Sequence, residues 1–113
     1  MDKIEQINKS RQKAHDKLLK MKSGVYKAFL DMESIAYTDG ALSKKSKELI
    51  AVGISVAINC ESCMQWHVEQ AAKTGASEKE ILEAIEVGIE MCAGASTVSA
   101  RFALEVMDTV YDK

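Results

Sequence analysis

From Ile4 to Ile35 apolar residues return at alternating spacings of four and three, through Ile7, Ala14, Leu18, Met21, Val25, Ala28 and Met32, with Arg11 as the single break. No proline interrupts this stripe or any other part of the 113-residue chain. A three-four spacing is the signature of an apolar helix face, and proline is the residue that most strongly ends helices. No stretch alternates with period two for more than a few residues, and the dipeptides that make tight hairpins are missing. The expectation is an all-α fold, a compact helical bundle of about five to six helices.

Turn and capping signals divide the chain. Residues 3 to 36 form either one long helix or two separated near Ser23 and Gly24, and a helix C-terminus at that pair favours two. Thr38-Asp39-Gly40 is the clearest turn. Ser43 is placed to cap a helix through Ile58, whose second half is apolar almost all round and is therefore expected to be buried on every side. Asn59 is expected to end that helix and cap the next, which starts at Cys60 and stops at Thr74-Gly75. Ser77 with Glu80 makes a capping box opening a helix to about Cys92. Gly94-Ala95-Ser96 then leads into a last helix ending near Tyr111. The chain reads as a single domain over 1–113, with an N-terminal helical section over 1–37 and a core over 42–111.

This length suffices for one hydrophobic core, and 47% hydrophobic with 28% charged residues is an ordinary globular composition. The N-terminus carries charges where a signal peptide needs an apolar segment, and the longest apolar run, Leu49 to Ile58, is half the length that spans a bilayer. Three cysteines are too few, and odd in number, for a secreted disulfide framework. A cytoplasmic protein that engages no membrane is expected, and in a reducing compartment a C-x-x-C means redox chemistry or metal. Residues 1 to 22 carry a net charge of +4 and the remainder −6, with the acidic excess at Glu78, Glu80, Glu83, Glu86 and Glu90.

Cys60, Cys63 and His67 are spaced i, i+3, i+7, which puts all three on one face of a single helix. The positive end of the helix dipole and an imidazole one turn below favour ionisation of Cys63, so it is the better-activated nucleophile. Cys60, nearer the helix end, is placed to resolve what Cys63 forms by closing a disulfide inside the motif. An antiparallel pairing of the helices on either side of Asn59 brings Glu48 to within about a turn of His67. A relay from Glu48 through His67 to Cys63 follows from that registry.

Glu48, eleven residues, Cys60-x-x-Cys63, three residues and His67 together resemble the E-x11-C-x2-C-x3-H pattern of the alkylhydroperoxidase D-like proteins, within the carboxymuconolactone decarboxylase superfamily. The likeness runs from about Leu42 to Met107. It implies a small all-helical protein assembled as a homo-oligomer, a trimer or hexamer, that passes electrons through the cysteine pair to a hydroperoxide or disulfide substrate. An external thiol reductant, a dithiol or a lipoyl-type protein, would recycle the pair. By motif position Cys63 would be the peroxidatic cysteine, passing through a sulfenic acid, with Cys60 resolving and His67 and Glu48 transferring protons. Members with demonstrated peroxidase chemistry often have a histidine directly before the second cysteine, where this chain has Ser62, and a serine does not titrate near neutrality. The decarboxylase branch acts on a lactone acid without needing a cysteine pair, so Cys60 and Cys63 point away from it. Outside enzymes, the alternative is a helical binding module whose cysteine pair senses redox state.

Cys60, Cys63, His67 and Glu48 would also make four zinc ligands, but zinc sites usually draw on separate elements, so no metal and no cofactor are expected. Cys92 sits in an apolar stretch and reads as core packing. His15 lies among Lys13, Asp16 and Lys17 and reads as a solvated residue without function. Trp66 reads as lining the mouth of the site, or as packing in the core or between subunits. Lys44, Lys45 and Lys47 are too few, and too poor in interleaved aromatics, for a nucleic-acid surface. The six methionines read as core gap-fillers. The long N-terminal stripe suggests a subunit contact.

Overall fold

The computed structural model describes residues 2–112, and these form five α-helices without a strand among them. They are α1 (Lys3–Lys20), α2 (Gly24–Ala36), α3 (Lys44–Ala57), α4 (Glu61–Lys73) and α5 (Glu78–Val110). The expected all-α bundle is thus present with five helices, and the N-terminal stripe is divided into two of them. The bundle is drawn out rather than compact. Its radius of gyration is 19.0 Å, against roughly 13 Å for a rounded domain of this length.

Each helix begins on a side chain that accepts a hydrogen bond from its first turn: Asp2, Ser23, Ser43, Cys60 and Ser77. Three helices end in the same way. After α1, Lys22 takes a positive φ of 56° and Ser23 N–H donates to the Leu18 carbonyl. After α3, Asn59 takes φ 54° and Cys60 N–H donates to Ser55. After α4, Gly75 takes φ 94° and Ala76 N–H donates to Ala71. A left-handed residue closed by this six-to-one bond reverses the chain at once, and a short helical hairpin follows.

Four expectations need correction. Asn59 ends α3 but does not cap α4; its left-handed backbone is spent on the reversal, and Cys60, in an extended conformation, is the cap. Gly94-Ala95-Ser96 does not break α5, which runs unbroken for 33 residues. One glycine costs a helix only about 1 kcal/mol, and the Ser96 and Thr97 hydroxyls bond back to the Cys92 and Gly94 carbonyls without leaving it. The second half of α3 is buried on one face only: Ala51, Val52, Gly53 and Ser55 are inside, whereas Ile50, Ile54 and Ile58 are at least half exposed. Cys92 and the methionines Met21, Met32, Met91 and Met107 are exposed rather than packed in a core.

The buried interior is small and centred on α3, which packs against both α4 and α5. At the α3–α5 crossing two glycines meet: a Cβ on Gly88 would lie 2.6 Å from the Gly53 carbonyl oxygen, and one on Gly53 would lie 2.9 Å from that of Ala84. Only residues without a side chain let these backbones approach so closely. Lys45 and Glu80 pair at 3.0 Å across the same two helices. α1 packs on α2 and on α4, not on the acidic start of α5. Its ties to α4 are the Lys3–Glu61 ion pair and Arg11.

Candidate functional site

The site is built where α3 hands over to α4. The reversal at Asn59 delivers Cys60 to the cap position, where its Sγ accepts a hydrogen bond from Cys63 N–H at 3.2 Å. The same two residues are joined in a disulfide. Cys63 and His67 share α4, but Cys60 precedes it, so the three do not lie on one helical face as the spacing alone suggested. The sulfurs instead sit at the helix N-terminus, where the unpaired first-turn N–H groups and the dipole favour negative charge.

His67 and Glu48 meet as the hairpin registry required, with His67 Nδ1 2.7 Å from Glu48 Oε2. Glu48 is 2% exposed. A buried carboxylate must be paired, and here its partner is the imidazole, whose tautomer and orientation it sets. The Tyr37 ring, at the C-cap of α2, stacks on His67 with centroids 5.3 Å apart and planes 29° from parallel. Burial first, then the Glu48 and Glu33 carboxylates, push the Tyr37 phenol above its ordinary range, so it stays protonated well into alkaline solution. No sequence signal pointed to Tyr37, because its role depends on where α2 ends relative to α4.

Arg11, the break in the apolar stripe, reaches across to the cysteine turn. One terminal nitrogen donates to the Ser62 carbonyl at 2.6 Å and to its hydroxyl at 2.8 Å; the other donates to Gln65 Oε1 at 2.5 Å and Asn8 Oδ1 at 3.1 Å. Its guanidinium carbon lies 5.2 Å from the centre of the Trp66 ring. The polar interruption was visible in the sequence, but its target, 51 residues away at Ser62, was not.

A cavity of about 670 Å³ opens between α1, α2 and the first turns of α4. Cys63, His67, Trp66 and Arg11 line it, as do His15 and Tyr26. Trp66 therefore lines the cavity beside Cys63. His15, expected to be solvated, is half-buried, with Nδ1 2.5 Å from the Tyr26 hydroxyl. A second groove, of about 480 Å³, runs between α3 and α5 and is lined by Ile50, Ile54, Val87 and Met91, with neither Cys60 nor Cys63 in its lining. No three or more His, Cys, Asp or Glu side chains among the described residues converge as metal ligands would. Nor, among those residues, is any helix long and apolar enough to cross a membrane.

Comparison with known proteins agrees with this architecture. The chain is 42% identical over 83 residues to protein 4 of the cox locus of Paracoccus denitrificans, covering 74% of this chain and 75% of that protein. Its fold matches a carboxymuconolactone decarboxylase family protein from Legionella pneumophila with a TM-score of 0.77 and 33% identity, over 96% of this chain and 97% of that one. A protein from Methanobacterium thermoautotrophicum matches with a TM-score of 0.67 and 30% identity, over 73% and 94% of the respective chains. Residues 23–106, which hold the cysteine hairpin and its glutamate, match the profile of the carboxymuconolactone decarboxylase family. With the alkylhydroperoxidase D-like motif set on that fold, the chain belongs to the carboxymuconolactone decarboxylase family.

Proposed function

We propose that this protein is a thiol-dependent oxidoreductase of the alkylhydroperoxidase or disulfide-reductase type. The observation that carries the reading is a cysteine pair bonded at a helix N-terminus, with a carboxylate-anchored imidazole one turn below the second sulfur. Cys63 is the nucleophile. Its thiolate is favoured by the helix terminus, by His67, and by the fixed positive charge that Arg11 bonds to the carbonyl preceding it. Attack on a hydroperoxide moves two electrons from sulfur to oxygen, forming the Cys63 sulfenic acid and an alcohol. The Cys60 thiol then attacks that sulfur, releasing water and closing the disulfide. An external dithiol, free or lipoyl-type, reopens it by exchange. Glu48 and His67 move the Cys63 proton.

The assembly is a homo-oligomer, a trimer or hexamer, of which the described chain is one protomer. Ile50, Ile54 and Ile58 recur every fourth residue on the open side of α3, beside Val87 and Met91 of α5. Val25, Met32 and Ile35 line an exposed side of α2. An isolated monomer seldom leaves so much apolar surface in water. Residues 1–37 would supply part of the subunit contact and 42–111 the core, and the protein would work in the cytoplasm.

The test exposes reduced protein to stoichiometric alkyl hydroperoxide and follows the Cys60–Cys63 disulfide by mass spectrometry, with Cys63→Ser as control. Rapid disulfide formation in wild type, absent in the control, is expected. If the thiols survive the peroxide and reduce no model disulfide, the reading fails.

A further inference from the structure

Displacement by a thiolate at an O–O or S–S bond is in line: the attacking sulfur and the departing atom lie on opposite sides of the atom attacked. With Cys63 on the α4 wall of the cavity, the leaving atom is directed toward the opposite wall, built by α1 and α2. His67 is on the α4 side with its Nδ1 held by Glu48, so it serves the attacking sulfur rather than the leaving atom. The ionisable side chains on the opposite wall are Arg11, His15, Tyr26 and Glu33. Arg11 already makes four hydrogen bonds to Ser62, Gln65 and Asn8, and a guanidinium does not release its proton. Glutamate side chains are ordinarily ionised near neutrality and accept protons rather than donate them. His15 has its Nδ1 2.5 Å from the Tyr26 hydroxyl, with the two rings edge-on at 5.5 Å. That contact orients the imidazole and leaves Nε2 for a ligand, and imidazole is the side chain suited to donating a proton near neutrality.

We infer that the His15–Tyr26 pair is the general acid for the leaving group, across the cavity from the Cys63 nucleophile. The inference rests on the dithiol reading above. In the first step the Cys63 sulfur bonds to the terminal oxygen of the hydroperoxide, the O–O bond breaks, and the departing alkoxide takes the proton on His15 Nε2, leaving as alcohol. Water returns a proton to His15 before the next turnover. Tyr26 is a positioning residue that holds the ring through Nδ1.

Two oxidants whose leaving groups differ in need of a proton separate this role from a structural one. tert-Butyl hydroperoxide expels a strongly basic alkoxide, whereas an aromatic nitrobenzoate disulfide expels a thiolate that is stable without protonation. In single-turnover oxidation of the reduced protein, His15→Gln is expected to slow the alkyl hydroperoxide reaction about 100-fold and to leave the aromatic disulfide reaction within about twofold of wild type, since no proton is needed there. Tyr26→Phe should lose rate in the same selective sense, by less. Equal losses with both oxidants, or no loss with either, overturn the inference. Wild type that reacts with neither oxidant refutes the dithiol reading itself, a distinct outcome seen without any variant.

Discussion

Replacing Gly88 by alanine tests the close backbone crossing of α3 and α5. The added Cβ would stand 2.6 Å from the Gly53 carbonyl oxygen, 3.1 Å from the Val56 Cβ and 3.3 Å from the Gly53 carbonyl carbon. Two of these are backbone atoms, so relief requires α3 and α5 to move apart by several tenths of an ångström. Overpacking of this kind costs about 1 to 3 kcal/mol, and alanine returns about 0.8 to 1 kcal/mol of helix propensity. The net expectation is a loss of up to about 2 kcal/mol, or a fall in Tm of up to about 15 °C for a domain of this size. Gly94→Ala is the matched control on the same helix. Its Cβ would meet only the flexible Glu90 carboxylate, at 3.4 Å, so the propensity gain of up to about 1 kcal/mol should emerge as stabilisation. Thermal and urea unfolding at one fixed protein concentration measure both variants, since the proposed assembly would make Tm depend on concentration. If Gly88→Ala raises Tm as Gly94→Ala does, the close crossing does not exist as described. Because α3 also carries Glu48, Gly88→Ala should further lower activity by disturbing the pair with His67.

Three further outcomes are expected. Glu48→Gln keeps the shape of the side chain but removes its proton acceptor, and peroxide-driven disulfide formation should slow by about 10- to 100-fold; an unchanged rate and unchanged pH profile of Cys63 alkylation would show that Glu48 serves only packing. The raised Tyr37 pKa makes folding stability complete below about pH 10, the unfolded value, and erodes it as pH climbs through the higher folded value. Urea unfolding between about pH 9 and 12 should thus show a steeper alkaline loss for wild type than for Tyr37→Phe, and parallel curves would contradict the burial of the phenol beside Glu48. Sedimentation equilibrium should return three or six copies of the 12.4-kDa chain, and a monomer at micromolar concentration would refute the subunit contact assigned to the open faces of α2, α3 and α5.

What the chain itself determined is local chemistry. Ser43, Ser77 and Glu80 start helices because their side chains pair with N–H groups three residues away, and no distant partner is needed. The Glu48–His67 contact was legible for the same reason, since a hairpin with a known pivot sets its own registry. The cap of α4 was read one residue early: Asn59 and Cys60 divide the roles of reversal and cap, and that division depends on which of them takes a positive φ. The continuity of α5 through Gly94 was hidden because a single glycine lowers helix stability without forbidding it. Side chains that act across the fold escaped entirely. His15 read as solvated and Arg11 as an interruption until α1 lay along α4, and Tyr37 had no meaning before the end of α2 came to rest on His67. Burial likewise belongs to the assembled helices: the apolar second half of α3 could equally have been enclosed on all sides, and only the packing on α4 and α5 left its isoleucines in the open. Periodicity and caps act over one turn of helix, within reach of the sequence; the cavity, the two imidazoles that line it and the exposed faces arise from contacts tens of residues apart, which tertiary structure alone decides.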